Sequence, residues 1–238
     1  MKNKVLFPKI FLLLILAVLI SSCIKNDNLI EGDAKVRYFQ SVVTDTTQNF
    51  FLNGIQSGAS TTYGSNSNYV VVAGDSTYAI TSKNINTGTD VASTSYKFEI
   101  GANYSVFYTR KTTSSPPQLT VFKDDVKQNL DSVKLTFLNL GYTLGSDVIV
   151  KDDGGAFPQF TMKYGDRLSH TIKVSKATKI SFALTTPIST QPILNTLDSL
   201  ATSTTASKSL AISKGVVYTV LLDGTKLGEL QVRLVPAN

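Results

Sequence analysis

The residues suited to acid–base or nucleophilic catalysis are few in this sequence. Its 238 residues include one histidine, His170, so a metal site built from several imidazoles is excluded. A serine–histidine–acid triad would need this same histidine as its base, and no Gly-x-Ser-x-Gly motif is present to hold a nucleophilic serine. The alternation of residues around His170 predicts an outward-facing position on a strand, and therefore a surface histidine.

Two pairs of neighbouring carboxylates are the other candidates for chemistry, Asp124-Asp125 and Asp152-Asp153. Adjacent side chains on a strand point to opposite faces, so neither pair suits the two-carboxylate mechanism of glycoside cleavage. The stretch "VKDDGG" is typical of a hairpin turn, with a calcium site at Asp152 and Asp153 as the alternative. We therefore predict a protein that is not an enzyme and that uses no cofactor or resident metal.

The single cysteine, Cys23, stands where an export signal would end. A basic start with Lys2, Lys4 and Lys9 precedes an unbroken apolar run over Ile10–Ile20. This arrangement is typical of a secretory signal peptide. The run is shorter than the roughly 20 apolar residues that a membrane-spanning helix needs, which argues against a transmembrane segment.

The residues Ile20-Ser21-Ser22-Cys23 resemble the lipobox of bacterial lipoproteins. The resemblance implies that the Cys23 thiol, a good nucleophile as thiolate, receives a diacylglyceryl group before cleavage and acylation of the new amino terminus. We therefore expect a signal peptide at 1–22, a lipidated Cys23 at the start of a flexible tether (23–33), and the membrane as a partner through acyl chains such as palmitate.

The residues after Cys23 bear on the side of the membrane that the protein faces. "IKNDN" (24–28) resembles the short signal that directs lipoproteins to the outer surface of some Gram-negative bacteria, although it carries one acid, Asp27. The expected location is the outer membrane, with the cell surface and the periplasmic face both left open.

The charge balance excludes one class of partner. The formal net charge is +6, and removal of residues 1–22 takes away three lysines and no acid, leaving 6 − 3 = +3. The basic residues are scattered rather than clustered, so no nucleic-acid partner is expected.

Alternation of apolar and polar residues dominates the chain after residue 34. Examples are "YKFEI" (96–100), "VKLTF" (133–137) and "LQVRL" (230–234). One apolar and one polar face are typical of antiparallel strands that are half covered by a core. The best helical pattern, over 193–200 after Pro192, predicts two turns at most.

The strands also repeat as a set, which predicts two tandem β-sandwich modules. The proposed boundary gives a first module at 34–130 and a second, divergent module at 131–238, with extra residues at 185–210. The matching stretches are 34–41 with 132–139, 49–54 with 147–152, Tyr63-Gly64 with Tyr164-Gly165, and 100–110 with 213–224.

Several of these stretches resemble the DUF4397 family. They are "AKVRYFQS", "FFLNG", "VVAGDSTYAI" (71–80), "GANYSVFY" and "LTVFKDD". The sequence departs from the family where "QSVVTD" replaces a His-Ala-Ser-Pro run and where the second copy has "VSKATKI". The resemblance covers roughly 34–238 and implies an extracytoplasmic Ig-like β-sandwich, often lipid-anchored, with no assigned activity.

Four Asp-Ser/Thr pairs resemble the acceptor motif for O-glycosylation in lipoprotein-rich Gram-negative bacteria. The alternative is that these residues only form turns, which both Asp and Ser favour. The predicted acceptors are Thr46, Ser76, Ser132 and Ser199.

The leading functional prediction is a lipid-anchored envelope protein whose sandwich modules serve binding or structure, with a protein or glycan partner of unknown identity. The alternative is a carbohydrate-binding accessory protein of a polysaccharide-uptake system. Its sugars would stack on exposed rings of Tyr63, Tyr69, Tyr142 and Phe157. Two further tyrosines, Tyr104 and Tyr218, are predicted to face the cores of their modules, with each hydroxyl hydrogen-bonded at the sandwich edge.

Overall fold

The computed structural model describes residues 32–152, 154–173, 179–186, 195–198 and 212–237. Within these residues the chain is all-β, as predicted, and forms sixteen strands. The strands are β1 (Asp33–Gln40), β2 (Gln48–Leu52), β3 (Ile55–Gln56), β4 (Val70–Ala73), β5 (Ser76–Asn84), β6 (Asp90–Phe98), β7 (Asn103–Thr109), β8 (Gln118–Asp124), β9 (Val133–Asn139), β10 (Val148–Asp152), β11 (Phe160–Met162), β12 (Arg167–Ile172), β13 (Lys179–Leu184), β14 (Asn195–Asp198), β15 (Val217–Gly224) and β16 (Leu230–Pro236).

The sixteen strands form four sheets of four strands each. The sheets β4-β1-β7-β8 and β3-β2-β5-β6 make up module 1, and β12-β9-β15-β16 and β11-β10-β13-β14 make up module 2. Adding eight to each strand number of module 1 gives the order of module 2, so the two modules share one strand order. The rungs Val36–Tyr104 and Leu135–Tyr218 are equivalent, which shifts the match of β1 with β9 by one residue from the one that the sequence suggested. The predicted boundary falls in the segment between β8 and β9.

Strand direction differs from the prediction in one respect. The described sheets are antiparallel except for the pairs β1–β7 and β9–β15, which are parallel. Alternating side chains mark the buried face of a strand but carry no information about the direction of its neighbour. In these parallel ladders Val36 lies opposite Tyr104, and Leu135 lies opposite Tyr218.

Each module has its own apolar core, and a tyrosine occupies the equivalent position in both. Tyr104 is fully buried in the core of module 1, and Tyr218 is buried in that of module 2. The Tyr104 hydroxyl accepts a hydrogen bond from the backbone N of Glu99 at 2.9 Å, and the Tyr218 hydroxyl accepts one from Ser213 at 3.1 Å. Both predictions for these residues are confirmed.

The glycines of the Tyr-Gly repeat have a geometric role. Gly64 and Gly165 have φ angles of 81° and 87°, which an L side chain rarely adopts. Their backbone N–H groups donate to Gln40 O at 3.2 Å and to Asn139 O at 2.7 Å, the last residues of β1 and β9. The two turns therefore close onto matching strand ends.

The predicted helix at 193–200 is wrong for its described part. Residues Asn195–Asp198 form β14, which pairs with β13. A few apolar residues at helical spacing are a weak signal, and pairing with an available sheet edge overrides it. Among the described residues, no helix is long and apolar enough to cross a membrane.

Candidate functional site: the contact between the modules

The two modules pack face to face within the compact unit that begins at Gly32. The sheets β4-β1-β7-β8 and β12-β9-β15-β16 meet through an apolar cluster between the module cores. Strands β7 and β15 are buried along nearly their whole length, because one face covers its own core and the other covers the neighbouring module. The buried residues of this cluster are Phe39, Phe107, Leu138, Leu140, Leu221 and Val235.

A buried arginine lies beside this cluster. Arg37 on β1 is 3% exposed. Its Nε donates to Ser105 Oγ at 3.0 Å, and its Nη1 donates across the contact to Pro236 O at 2.6 Å. The guanidinium carbon lies 5.0 Å from the Phe39 ring centre and 4.7 Å from that of Tyr69. Arg37 therefore joins β1 to the end of β16.

The carboxylate of Asp124 balances this guanidinium. Its Oδ2 lies 3.8 Å from Arg37 Nε and accepts hydrogen bonds from Ser105 Oγ at 2.7 Å and Tyr69 Oη at 2.8 Å. Burial raises the pKa of Asp124 above its ordinary value, while Arg37 opposes the rise. Removing one partner would leave an uncompensated charge in the interior, which costs about 3–5 kcal/mol.

Tyrosine hydroxyls complete the contact at its rim. Tyr63 Oη donates to Gly224 O at 2.9 Å, and Tyr164 Oη lies 3.2 Å from Thr109 Oγ1. Burial raises the pKa of both phenols, so they remain neutral hydrogen-bonding groups at ordinary pH. Each tyrosine reaches from its own module to the other.

A second arginine–aspartate pair lies on β15 and β16. Arg233 Nε donates to Asp223 Oδ2 at 2.8 Å, and a second contact comes from Nη2. Burial raises the pKa of Asp223, with Arg233 acting in the opposite direction. Because the Tyr63 ring lies against Arg233, this pair also supports the contact between the modules.

The aromatic platform predicted for sugar binding does not form. Tyr142 and Phe157 are 8% and 6% exposed and belong to the cores of modules 1 and 2. Tyr63 and Tyr69 are half-buried, and their hydroxyls bond across the contact between the modules. The sequence indicated that these residues lie in loops, but it did not show which surfaces the loops pack against.

His170 is not the surface residue that the sequence predicts. Its ring is half-buried and stacks on Phe157 at 4.7 Å and on Phe160 at 5.0 Å between ring centres. Nε2 is buried and has no hydrogen-bond partner among the described residues. Burial lowers the pKa of His170 below its ordinary value of 6.5. The residue therefore serves packing, as a neutral aromatic ring.

The paired acids have separate roles. Asp124 is buried in the contact, whereas Asp125 is exposed and pairs with Lys134, so their predicted opposite orientation is confirmed.

Asp152 Oδ1 accepts a hydrogen bond from Gly154 N at 3.1 Å, and Oδ2 accepts one from Ala156 N. These bonds fix the predicted turn. Asp153 lies outside the described residues, within which no group of three or more His, Cys, Asp or Glu could hold a metal ion.

The predicted modification sites differ in their surroundings. Thr46 is exposed on a loop where Asp45 is held by Arg110 and Tyr108. Ser76 is half-buried, and Ser132 is buried, so modification at Ser132 would have to precede folding. Ser199 and the lipidation residue Cys23 lie outside the described residues. Glycosylation and lipidation stay predictions.

Two clefts open beside the contact between the modules. The larger, of about 600 Å³, is lined by Lys123, Lys127 and Arg167 among others. The smaller, of about 290 Å³, lies between the loop that carries Tyr69 and the end of β16 at Pro236. Both are lined by residues of both modules, so their shape depends on docking.

Sequence reasoning missed the Arg37–Asp124 pair. In "KVRY" (35–38) the polar residues Lys35 and Arg37 alternate with the apolar Val36 and Tyr38, and such alternation predicts that the polar face is exposed to solvent. A usable signal was present, because Phe39 and Phe107 occupy that same face. Large apolar residues on both sides of a strand indicate that both sides are covered.

Comparison with protein families agrees with the resemblance over part of the chain. The family described as "Domain of unknown function (DUF4397)" matches residues 34–148. This range contains module 1 and β9, and is shorter than the 34–238 that the sequence suggested. No curated protein gives a significant match to the chain.

Two of the solved structures that match the chain illustrate how weak the similarity is. One is a family CBM26 carbohydrate-binding module of Eubacterium rectale Amy13K in complex with maltoheptaose, with 11% identity and a TM-score of 0.26 over 84% of this chain and 96% of that chain. The other is a Bacteroides eggerthii protein assigned provisionally to cell adhesion, with 11% identity and a TM-score of 0.26 over 87% of this chain and 96% of that chain. At this level of similarity, neither neighbour's function transfers to this chain.

Proposed function

We propose that this protein is a non-catalytic, lipid-anchored component of the outer membrane, in which two docked β-sandwich modules form one rigid unit that presents its surface to a protein or glycan partner. The observation that carries the proposal is the buried contact between the modules. A packed interface with a fixed ion pair and reciprocal tyrosine bonds holds the modules in one orientation, as a rigid binding or spacer unit requires.

The roles of the candidate catalytic residues support the non-catalytic part of the proposal. His170 stacks on the rings of Phe157 and Phe160, Asp124 accepts hydrogen bonds from Ser105 and Tyr69, and Asp152 caps a turn. Each of these groups stabilises the fold.

The anchor part of the proposal is supported by the sequence around Cys23. The chain from Cys23 to Gly32, where the compact unit begins, spans at most about 3.3–3.6 Å per residue. A tether of this length would keep the modules near the membrane surface, which suits a structural or adhesive role at the envelope.

The proposal is tested by binding of the full-length protein, purified in detergent, to arrays of glycans and of extracellular matrix proteins. Phe107→Glu, which places a charge in the contact between the modules, should abolish binding that depends on the docked unit. The matched control is Ile55→Glu, at a residue 75% exposed in a β2–β3 hairpin of module 1, which should leave docking unchanged. Release of a cleaved product from any arrayed ligand would overturn the non-catalytic assignment.

A further inference from the structure

The contact between the modules has an approximate two-fold symmetry that is visible in the strand registers. Phe39 pairs with Phe107 on β1–β7, and Leu138 pairs with Leu221 on β9–β15. These two rungs are equivalent, because each lies three residues beyond the rung that carries Tyr104 or Tyr218. All four side chains belong to the apolar cluster of the contact.

The last strand of each module also contributes an equivalent position to the contact. Ser105 pairs with Phe122 on β7–β8, and Thr219 pairs with Val235 on β15–β16. Phe122 and Val235 are therefore equivalent, and both pack in the cluster. Three positions of the apolar cluster are therefore shared by the two modules, whereas Leu140 has a serine, Ser41, as its counterpart in module 1.

The tyrosine bonds at the rim are reciprocal. Tyr63 of module 1 donates to Gln231 Oε1 at 3.1 Å, on the rung where Asp223 pairs with Gln231. Tyr164 of module 2 bonds to Thr109, on the equivalent rung where Thr109 pairs with Gln118. Each repeat tyrosine therefore contacts the matching rung of the other module.

The two arginine hydrogen bonds that cross the contact end on equivalent backbone carbonyls. Arg37 donates to Pro236 O, and Arg167 Nη2 donates to Lys123 O at 2.8 Å. Lys123 lies opposite Tyr104, and Pro236 lies opposite Tyr218, so the two carbonyls are equivalent. The arginines come from different strands, yet each ends on the same backbone position.

A contact in which the same patch of both partners meets is isologous, which is the geometry of two-fold homodimers. A chance contact between two tandem domains would join different patches. We propose that the outer face of β4-β1-β7-β8 is a self-association surface whose fitting partner is a second copy of module 1, and that module 2 occupies this surface within the chain.

The polar residues of module 1 are compatible with such a pair. In a self-pair, Arg37 of each copy would face Lys123 O of the other, a carbonyl that already accepts a guanidinium from Arg167. Asp124 and Ser105 remain beside Arg37 in the same module. The buried charge therefore keeps its compensating groups.

The experiment uses the full chain with a protease site between Lys127 and Leu130, where residues 127–130 are all exposed. After cleavage, the two fragments of the wild-type protein should co-elute as one folded complex. In the cut Leu221→Glu protein, the module 1 fragment should instead run at twice its own mass in native mass spectrometry. Addition of Phe107→Glu should return it to a single mass, whereas Ile55→Glu, at an exposed position of β3 in the other sheet of module 1, should not.

A second measurement does not require the module 1 fragment to stay folded without a partner. Two batches of the cut wild-type protein, with different tags on the module 1 fragment, are mixed and captured through one tag. Recovery of the other tag on folded protein supports self-pairing. A module 1 fragment that stays monomeric in the first experiment and shows no tag exchange in the second would overturn the proposal.

Discussion

Arg37 shows how one residue decides the relation between two modules. A guanidinium loses its hydration when it is buried and needs several acceptors to compensate. Here Ser105 on β7 and Pro236 O at the end of β16 accept hydrogen bonds from Arg37. The Asp124 carboxylate on β8 lies 3.8 Å from Nε, and Nη2 has no hydrogen-bond partner among the described residues. Docking of module 2 therefore supplies one of the two hydrogen-bond acceptors of Arg37.

His170 gives a prediction for the pH dependence of stability. Its pKa is lowered in the folded state, so the unfolded chain binds the proton more tightly. The contribution of the neutral ring is therefore complete above about pH 6.5 and is lost as the pH falls below this value. In urea unfolding from pH 8 to pH 5, the wild-type protein should lose stability relative to His170→Phe as the pH decreases. A stability difference independent of pH would contradict the assignment.

Cys23 gives a prediction for the anchor. Cys23→Ser should abolish incorporation of a fatty-acid analogue and leave the protein either uncleaved or released from the membrane, because a hydroxyl replaces the thiol nucleophile. Metabolic labelling with a clickable fatty acid measures this. Ser21→Ala, which keeps a small residue before the cysteine, serves as the control and should retain the label. Undiminished label on Cys23→Ser would refute lipidation at this site.

At the scale of elements, the two modules use an equivalent tyrosine to pack the core beside a glycine turn. The strand that follows a glycine turn has a tyrosine as its second residue. Its ring fills the core, and its hydroxyl accepts a hydrogen bond from the backbone of the turn. An amphipathic ring at the edge of a sandwich meets both requirements. The matched pair Tyr104 and Tyr218 therefore allows the same substitution to be made twice.

Substitutions at these tyrosines should separate packing from hydrogen bonding. Tyr104→Phe and Tyr218→Phe each remove the hydroxyl that accepts a hydrogen bond from the turn, and each should cost about 0.5–1.5 kcal/mol. Tyr104→Ala also leaves a cavity and should cost about 3–5 kcal/mol. Denaturant unfolding measures both losses of unfolding free energy, provided that the slope of free energy against denaturant concentration is the same for each variant. If Tyr104→Ala unfolds no earlier than Tyr104→Phe, the ring does not support the core.

At the scale of the whole molecule, the segment between the two modules is a candidate site for proteolysis. The strands are paired and packed, whereas the segment between the modules includes exposed residues Lys127 and Leu130. Backbone cleavage needs such an accessible segment. The location of the protein can therefore be tested with trypsin on intact cells.

We expect trypsin to cut at Lys127 on intact cells if the protein faces outward. Immunoblotting should then show a fragment ending near residue 127, with a periplasmic marker intact as the control. A protein that is cut only after lysis would lie on the periplasmic face. A Lys127→Gln variant should lose this fragment and so identify the cut.

The sequence by itself determined the strands, the repeat and the positions of the core tyrosines, because side-chain alternation and glycine turns are local properties. It also indicated the anchor, which rests on residues 1–23 alone. The roles of Arg37, Asp124, Tyr63 and His170 were decided by tertiary structure. Whether a polar residue on the outer face of a strand meets water or another sheet depends on residues far away in the sequence, 199 positions for Arg37 and Pro236 and 161 for Tyr63 and Gly224. No local pattern carries that information.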